Sequence, residues 1–323
     1  NFTSLRGKMV SKHRTSQEGS PVETEYTYLL HLLGAYLRQE PPAPADNVDW
    51  EKLLELARIH GVTGIVGYMG KKFPICPDPR LSGVFRSLCM GTISLFSRRH
   101  ALALEMVEQL ERTNIDHILM KGFILRDCYP VPELRTFTDI DLVIRPEDRQ
   151  KSHELMLSLG FTVQTDWEPT YTYRRGAELY ELHTNLMDAS LDGRSDLPAY
   201  FADAWSHAAP VRGRCHAPEE TFHFLYTLCH LAKHLYAGGA GLRMYLDAAL
   251  FIHRRGKNLD WAAVRREMEE LKLGRFLDTV LSCCESWFGA TAPWEFSRSD
   301  ATDELLTYTR DADLFGKRPW KKK

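Results

Sequence analysis

The amino-acid sequence predicts an α+β protein, a small mixed β-sheet core flanked by helical regions on its N- and C-terminal sides. Three features point to it. Residues 137–144 alternate with period two, Ile140, Leu142 and Ile144 on one face and Asp139, Asp141 and Val143 on the other, as a strand requires. Two further short segments, residues 161–165 and 177–185, also read as strands. Around them, apolar residues recur at helical spacing: Tyr26, Leu29, Leu30, Leu33 and Leu37 early in the chain, and Leu225, Leu228, Ala232 and Leu235 late in it.

With 323 residues the chain is long enough for one large domain or two smaller ones with a sizeable core. Its 44% hydrophobic and 26% charged residues are ordinary for a globular protein. A formal net charge of −2 argues against life on bulk nucleic acid, while leaving room for a local basic patch. The seven cysteines form no C-x-x-C pair and read as the reduced, buried thiols of a cytoplasmic protein. No apolar run approaches the roughly 18 residues of a membrane span. Five segments are expected: a flexible tail over residues 1–20, a helical region over 21–115, a catalytic core over 116–190, a second helical region over 191–290 and a peripheral tail over 291–323.

In the first helical region, the prolines at 41, 42 and 44 end the helix of residues 22–38. Asp49 is a good N-cap for the next helix, whose apolar face is Trp50, Leu53, Leu54 and Ala57 and which closes at Gly61. A proline-rich break over 73–79 precedes a long helix over 81–112, with Leu88, Leu95, Leu102, Met106 and Leu110 as its core stripe.

The central segment carries the chemistry. Residues 116–120 read as a short buried strand that breaks at Lys121-Gly122 and enters a helical stretch over 123–129. A glycine there lets a phosphate approach the backbone, a helix N-terminus offers free N–H groups, and Lys121 adds a full charge. Asp139 and Asp141 lie about 6.5–7 Å apart along one strand face and repel each other unless a cation lies between them. An isolated pair of this kind also occurs on edge strands facing water. Here the strand runs on into Arg145-Pro146-Glu147-Asp148, a helix start with proline in its first turn. Hard divalent ions such as Mg2+ take carboxylate oxygens together with substrate phosphates, so the pair suits a metal and nucleotide triphosphate site. Arg135 adds a second cation. On the strand over 177–185, Glu181 and His183 share a face. If that strand lies beside the Asp strand, Glu181 completes a three-acid site, and His183 contacts acceptor, phosphate or a water; otherwise His183 is a structural histidine.

After a turn at Asp192-Gly193-Arg194, a helix over 218–236 sets His223, Thr227, His230 and His234 in one stripe. The pattern H-x-x-x-H lacks the glutamate of a zinc protease. The stripe either faces the cleft and donates to nucleotide or acceptor, or makes interhelical hydrogen bonds. Beyond the flexible break Gly238-Gly239-Ala240-Gly241, Arg243 and Asp247 stand four residues apart, as a salt bridge or as part of the cleft wall. Asp260 caps a helix with Val264, Met268 and Leu271 inward, and a last helix runs to Phe288-Gly289.

Taken together, Leu119-Met120-Lys121-Gly122, Tyr129-Pro130, Leu134-Arg135, Thr138-Asp139-Ile140-Asp141-Leu142-Val143, Arg145-Pro146-Glu147-Asp148, Leu159-Gly160-Phe161 and Glu181-Leu182-His183 resemble the nucleotidyltransferase superfamily of the DNA polymerase beta type. Within it the sequence resembles the bacterial group of uncharacterised nucleotidyltransferases. The likeness covers about residues 25–290, with the central part specific. It implies a nucleotidyltransferase-like core that moves a nucleoside monophosphate from an NTP to an acceptor hydroxyl and releases pyrophosphate. Asp139, Asp141 and Glu181 would be catalytic and would hold Mg2+ or Mn2+. Lys121, Gly122 and Arg135 would grip the phosphates, and His183, His230, His234 and Arg243 would contact the nucleotide. The chain departs from the superfamily pattern by having Lys121-Gly122 in place of Gly-Ser and Glu181 in place of a third aspartate. That departure leaves open a nucleotide-binding or regulatory module without turnover. A toxin-like enzyme modifying tRNA would need a basic surface beside the Asp pair. The implied partners are an NTP and an unidentified acceptor (small molecule, protein or RNA), with no membrane and no strong nucleic-acid signature.

Overall fold

Caps and apolar spacing explain most of the helices of the first hundred residues. The computed structural model describes residues 21–45, 47–191 and 195–310. The expected tail over 1–20, the turn Asp192-Gly193-Arg194 and the end of the chain after 310 lie outside the described residues. Helix α1 (Pro21–Arg38) buries Leu29, Leu32, Leu33 and Tyr36. Asp49 caps α2 (Trp50–Ile59), its carboxylate accepting from the backbone N–H groups of Glu51 and Lys52 at 3.1 and 3.2 Å. Helix α3 (Thr63–Lys72) was not legible from spacing; its glycines pack it onto α4 (Pro79–Arg112).

The buried stripe of α4 is Phe85, Cys89, Phe96, Ala103, Met106 and Leu110. Met106 and Leu110 match the expectation, but Leu95 is 47% exposed and Leu88 and Leu102 are only half-buried. The buried seam runs one residue further round the helix than the leucines: Phe85 and Cys89 lie against Gly67 and Gly70 of α3, and Phe96 and Ala103 join the core beneath the sheet.

The sheet begins with β1 (His117–Leu119), followed by the single turn α5 (Gly122–Leu125) and by β2 (Ile140–Ile144), all five residues of which are buried. Helix α6 (Arg149–Ser158) leads to β3 (Thr162–Trp167), β4 (Thr170–Arg175) and β5 (Glu178–His183). After α7 (Leu197–Phe201), β6 (Ala208–Arg212) and β7 (Cys215–Pro218) complete a seven-stranded mixed sheet of order β3-β4-β5-β2-β1-β7-β6. Strands β4, β6 and β7 extend the expected sheet, and Pro218 closes β7 rather than opening a helix. Strand β2 runs antiparallel to β1 and parallel to β5, with Asp141 opposite Glu181 and Val143 opposite His183.

Helices α8 (Glu220–Ala237) and α9 (Leu242–Arg255) lie over the sheet, followed by α10 (Trp261–Glu270), α11 (Gly274–Phe288) and α12 (Thr302–Arg310). Asp260 caps α10, and Val264, Met268 and Leu271 are buried, as expected. Leu305 and Leu306 of α12 pack on the core, so the expected peripheral segment is anchored as far as residue 310.

The two faces of β2 belong to different cores. Ile140, Leu142 and Ile144 pack with Met106 and Leu110 of α4 and Met156 of α6. Val143, with Ile118 and Met120, faces a larger cluster built jointly by the helices before and after the sheet, including Leu33, Leu228, Leu250 and Val280. The period-two alternation therefore turns Asp141 toward the helical body. All seven cysteines are free thiols, six of them buried. Among the described residues no helix is long and apolar enough to cross a membrane.

Candidate active site

The end of β1 turns sharply. Lys121 adopts φ 44°, ψ −118°, a conformation costly for a residue with a side chain, and Gly122 starts α5. A Cβ on Gly122 would lie 2.4 Å from Nη1 of Arg135 and 3.0 Å from Cβ of Phe137, so glycine is needed here for side chains packed against the turn. The turn aims Lys121 back at the sheet, where its Nζ donates to Oδ1 of Asp141 at 2.6 Å.

The parallel register of β2 and β5 brings the remaining groups together. His183 Nε2 lies 3.0 Å from the same Oδ1 of Asp141 and 3.5 Å from Oε2 of Glu181, and its Nδ1 is 3.1 Å from Thr170 Oγ1. Ligand atoms of Asp141, Glu181 and His183 all lie within 4.8 Å of one another. Asp139, just before β2, faces the same hollow.

Electrostatics follow from this crowding. Burial works against the Asp141 carboxylate, yet the Lys121 ammonium and the His183 hydrogen bond outweigh it and hold its pKa well below the usual range. Burial likewise opposes the charged His183 and Lys121; hydrogen bonds to Asp141 and Glu181 raise the first, and the Asp141 charge raises the second. Asp139 is pushed up, first by burial and then by the like charge of Asp141.

These groups open onto a cavity of about 540 Å³ between the sheet and the helical body. Its floor follows the strand order: Thr165 and Trp167 on β3, Thr170 on β4, Glu181 and His183 on β5, the Asp pair at β2, then Lys121 and Gly122. Tyr226, Thr227, His230, Lys233 and His234 of α8 form one wall, and Arg243 and Asp247 of α9 another.

Of the expected stripe on α8, Thr227, His230 and His234 line the cavity, the two imidazole centroids 4.5 Å apart. Burial and the Lys121 charge lower both, His234 to about 4, so they are neutral at neutral pH. His223 is instead in the core, edge-on to Phe251 of α9. Arg243 and Asp247 do not form the i, i+4 bridge. Asp247 accepts from Arg135 Nε and Nη2 at 3.1 and 2.9 Å and from Tyr129 Oη at 2.7 Å, while Arg243 donates to the Thr136 carbonyl at 2.8 Å. Both line the cavity wall. Arg135 lines it too, but its guanidinium is buried against Asp247 rather than extended toward open space. Sequence reasoning missed Trp167, Tyr226 and Lys233; the period-two pairing of Thr165 with Trp167 was the available signal for the first.

The profile of the family described as uncharacterised nucleotidyltransferase matches residues 46–289. The chain belongs to this family. A comparison with curated proteins found no match. Among solved structures, this nucleotidyltransferase is similar to the solution structure of the antibiotic-resistance factor ANT(2'')-Ia, with 12% identity over 56% of this chain and 95% of that one and a TM-score of 0.41. It is also similar to the crystal structure of ANT(2'')-Ia in complex with adenylyl-2''-tobramycin, with 14% identity over 53% and 95% and a TM-score of 0.40.

Proposed function

We propose that the protein transfers a nucleoside monophosphate from an NTP to an acceptor hydroxyl and releases pyrophosphate, with a divalent ion at the acidic cluster. The observation that carries this reading is the register of β2 against β5, which sets Asp141 directly opposite Glu181 at the floor of a cavity that Asp139 also lines.

The donor set fits a divalent cation: carboxylate oxygens of Asp141 and Glu181 and an imidazole nitrogen converge within 4.8 Å, with Asp139 beside them. Asp139, Asp141 and Glu181 would hold Mg2+ or Mn2+. When bound, such an ion neutralises charge on the triphosphate and the leaving pyrophosphate. Lys121 and the Gly122 backbone N–H bind the β- and γ-phosphates at the β1 end of the floor. Arg135, locked on Asp247, supports the turn that presents them, and Arg243, His230 and His234 flank the nucleotide. The acceptor oxygen attacks the α-phosphorus, the bond to the bridging oxygen breaks, pyrophosphate leaves, and the acceptor proton passes to Glu181. Seven reduced thiols are consistent with a cytoplasmic setting.

Incubation of the full chain with Mg2+ and radiolabelled NTPs, read as pyrophosphate release, tests this. Asp139→Asn and Asp141→Asn are each expected to keep the fold, by circular dichroism, and to lower turnover at least about a hundredfold. Folded variants that retain wild-type turnover would rule the assignment out. A second reading, a nucleotide-binding module without turnover, draws on the Lys121–Asp141 ion pair; ATP binding with no pyrophosphate release supports it.

A further inference from the structure

The cluster at β2 and β5 contains an imidazole that the acid-only reading leaves without a chemical task. His183 is 5% exposed and sits on a strand held between β2 and β4. Its Nδ1 is tied to Thr170 Oγ1 at 3.1 Å, which fixes the ring plane. The other nitrogen, Nε2, points between Asp141 Oδ1 at 3.0 Å and Glu181 Oε2 at 3.5 Å. Two carboxylate oxygens and one imidazole nitrogen thus converge within 4.8 Å of one another; the Lys121 ammonium already donates to the same Asp141 Oδ1 at 2.6 Å, so a divalent ion held by all three would take over the place of the His183 proton and push the ammonium toward the cavity. A metal-binding histidine characteristically has its non-ligating nitrogen hydrogen-bonded in this way.

The donor chemistry also narrows the ion. Mg2+ demands oxygen ligands in near-ideal octahedral geometry, whereas imidazole suits first-row transition ions; Mn2+ shares the preference of Mg2+ for carboxylates but, as a first-row ion, tolerates an imidazole beside them better than Mg2+ does. Resting on the proposed nucleotidyl transfer, we infer that His183 is a direct ligand of the divalent ion, together with Asp141 and Glu181, and that the site therefore binds Mn2+ in preference to Mg2+. Asp139 lies outside this trio and remains available to a nucleotide-bound ion.

The full chain titrated with Mn2+ alone, without nucleotide, tests this by electron paramagnetic resonance. Wild type is expected to bind Mn2+ at least about tenfold more tightly than Mg2+. Its pulsed spectrum should carry the nitrogen-14 modulation of a coordinated imidazole. His183→Gln, checked for folding by circular dichroism, should lose that modulation and weaken Mn2+ binding about tenfold or more, whereas His253→Gln, at an exposed position near the end of α9 away from the cavity, should retain both. Mn2+ binding that depends on Asp141 and Glu181 but shows no nitrogen modulation overturns the ligand assignment and leaves the transfer reading standing. Modulation that survives His183→Gln also overturns it, and the wild-type spectrum keeps the proposal falsifiable should that variant fail to fold. Mn2+ binding indifferent to Asp141→Asn and Glu181→Gln, or no binding at all, overturns the ligand assignment, whereas wild type that releases no pyrophosphate from NTPs with either ion separately defeats the transfer reading.

Discussion

At the scale of single residues, the Lys121-Gly122 turn shows how one position serves two neighbours. Lys121 takes a positive φ that aims its ammonium at Asp141, and Gly122 leaves room for Arg135 and Phe137 beneath the turn. Gly122→Ala puts a methyl 2.4 Å from the Arg135 guanidinium and 3.0 Å from the Phe137 Cβ. Arg135 cannot retreat without loosening its bonds to Asp247, so the variant is expected to lose about 1–3 kcal/mol of stability in urea unfolding, the usual range for overpacking. Pyrophosphate release should fall with it, because the displaced turn carries Lys121. Unchanged stability would mean that the turn is more forgiving than its contacts imply. In the sequence alone, Lys-Gly read as a phosphate turn with Arg135 as a free cation. The partner that captures Arg135, Asp247, lies 112 residues away, and no local pattern announces a contact of that range.

At the scale of elements, the strands of the candidate site were legible because period two has few competing explanations. The alternation of β2 and the parity of Glu181 and His183 survive intact in the register. Helix α3 was hidden because Gly64, Gly67 and Gly70 depress helix propensity. Those glycines make sense only beside α4: a Cβ on Gly67 would stand 2.8 Å from the Cys89 nitrogen and the Phe85 carbonyl. On α8 the spacing of the histidines was read correctly, but spacing alone does not say which part of a stripe faces water. His223 is buried, and its Nε2 makes no hydrogen bond to a described residue. Burial, with the nearby charges of Arg255 and Arg135 and against that of Asp247, lowers its pKa to about 3. The unfolded chain binds this proton below about pH 6.5, the folded protein only near 3. The neutral ring's contribution is therefore complete above pH 6.5 and declines as the pH falls toward 3. His223→Phe should flatten this part of the acid limb by roughly a few kcal/mol in urea unfolding followed across that range. Parallel wild-type and variant pH profiles would sink the idea.

At the scale of the whole molecule, the site lies where two bodies meet. The sheet supplies the acids, and α8 and α9 supply the opposing walls; these two helices are backed by a helical body drawn from both ends of the chain, in which residues of α1, α8, α9 and α11 share one apolar cluster. That joint packing could not be read from the sequence, because two helical stretches separated by a sheet look the same whether or not they touch. Asp247 is a principal polar link between the bodies. From α9 it accepts from Tyr129 and from Arg135, which stands just before β2, and the Arg135 and Asp247 side chains are only 7% and 6% exposed. A buried pair of this kind owes little net stability to its own attraction, but losing one partner strands the other charge. Asp247→Ala is thus expected to lower unfolding free energy by about 3–5 kcal/mol. Arg135→Met combined with Asp247→Leu should recover most of that loss, since two apolar side chains leave no charge unpaired. Pyrophosphate release should stay low in the double variant, because the turn bearing Lys121 rests on the Arg135 guanidinium. Urea unfolding of Arg135→Met, Asp247→Leu and the variant carrying both forms a thermodynamic cycle: a coupling energy near zero would show that Arg135 and Asp247 act independently and that the two bodies are joined by apolar packing alone.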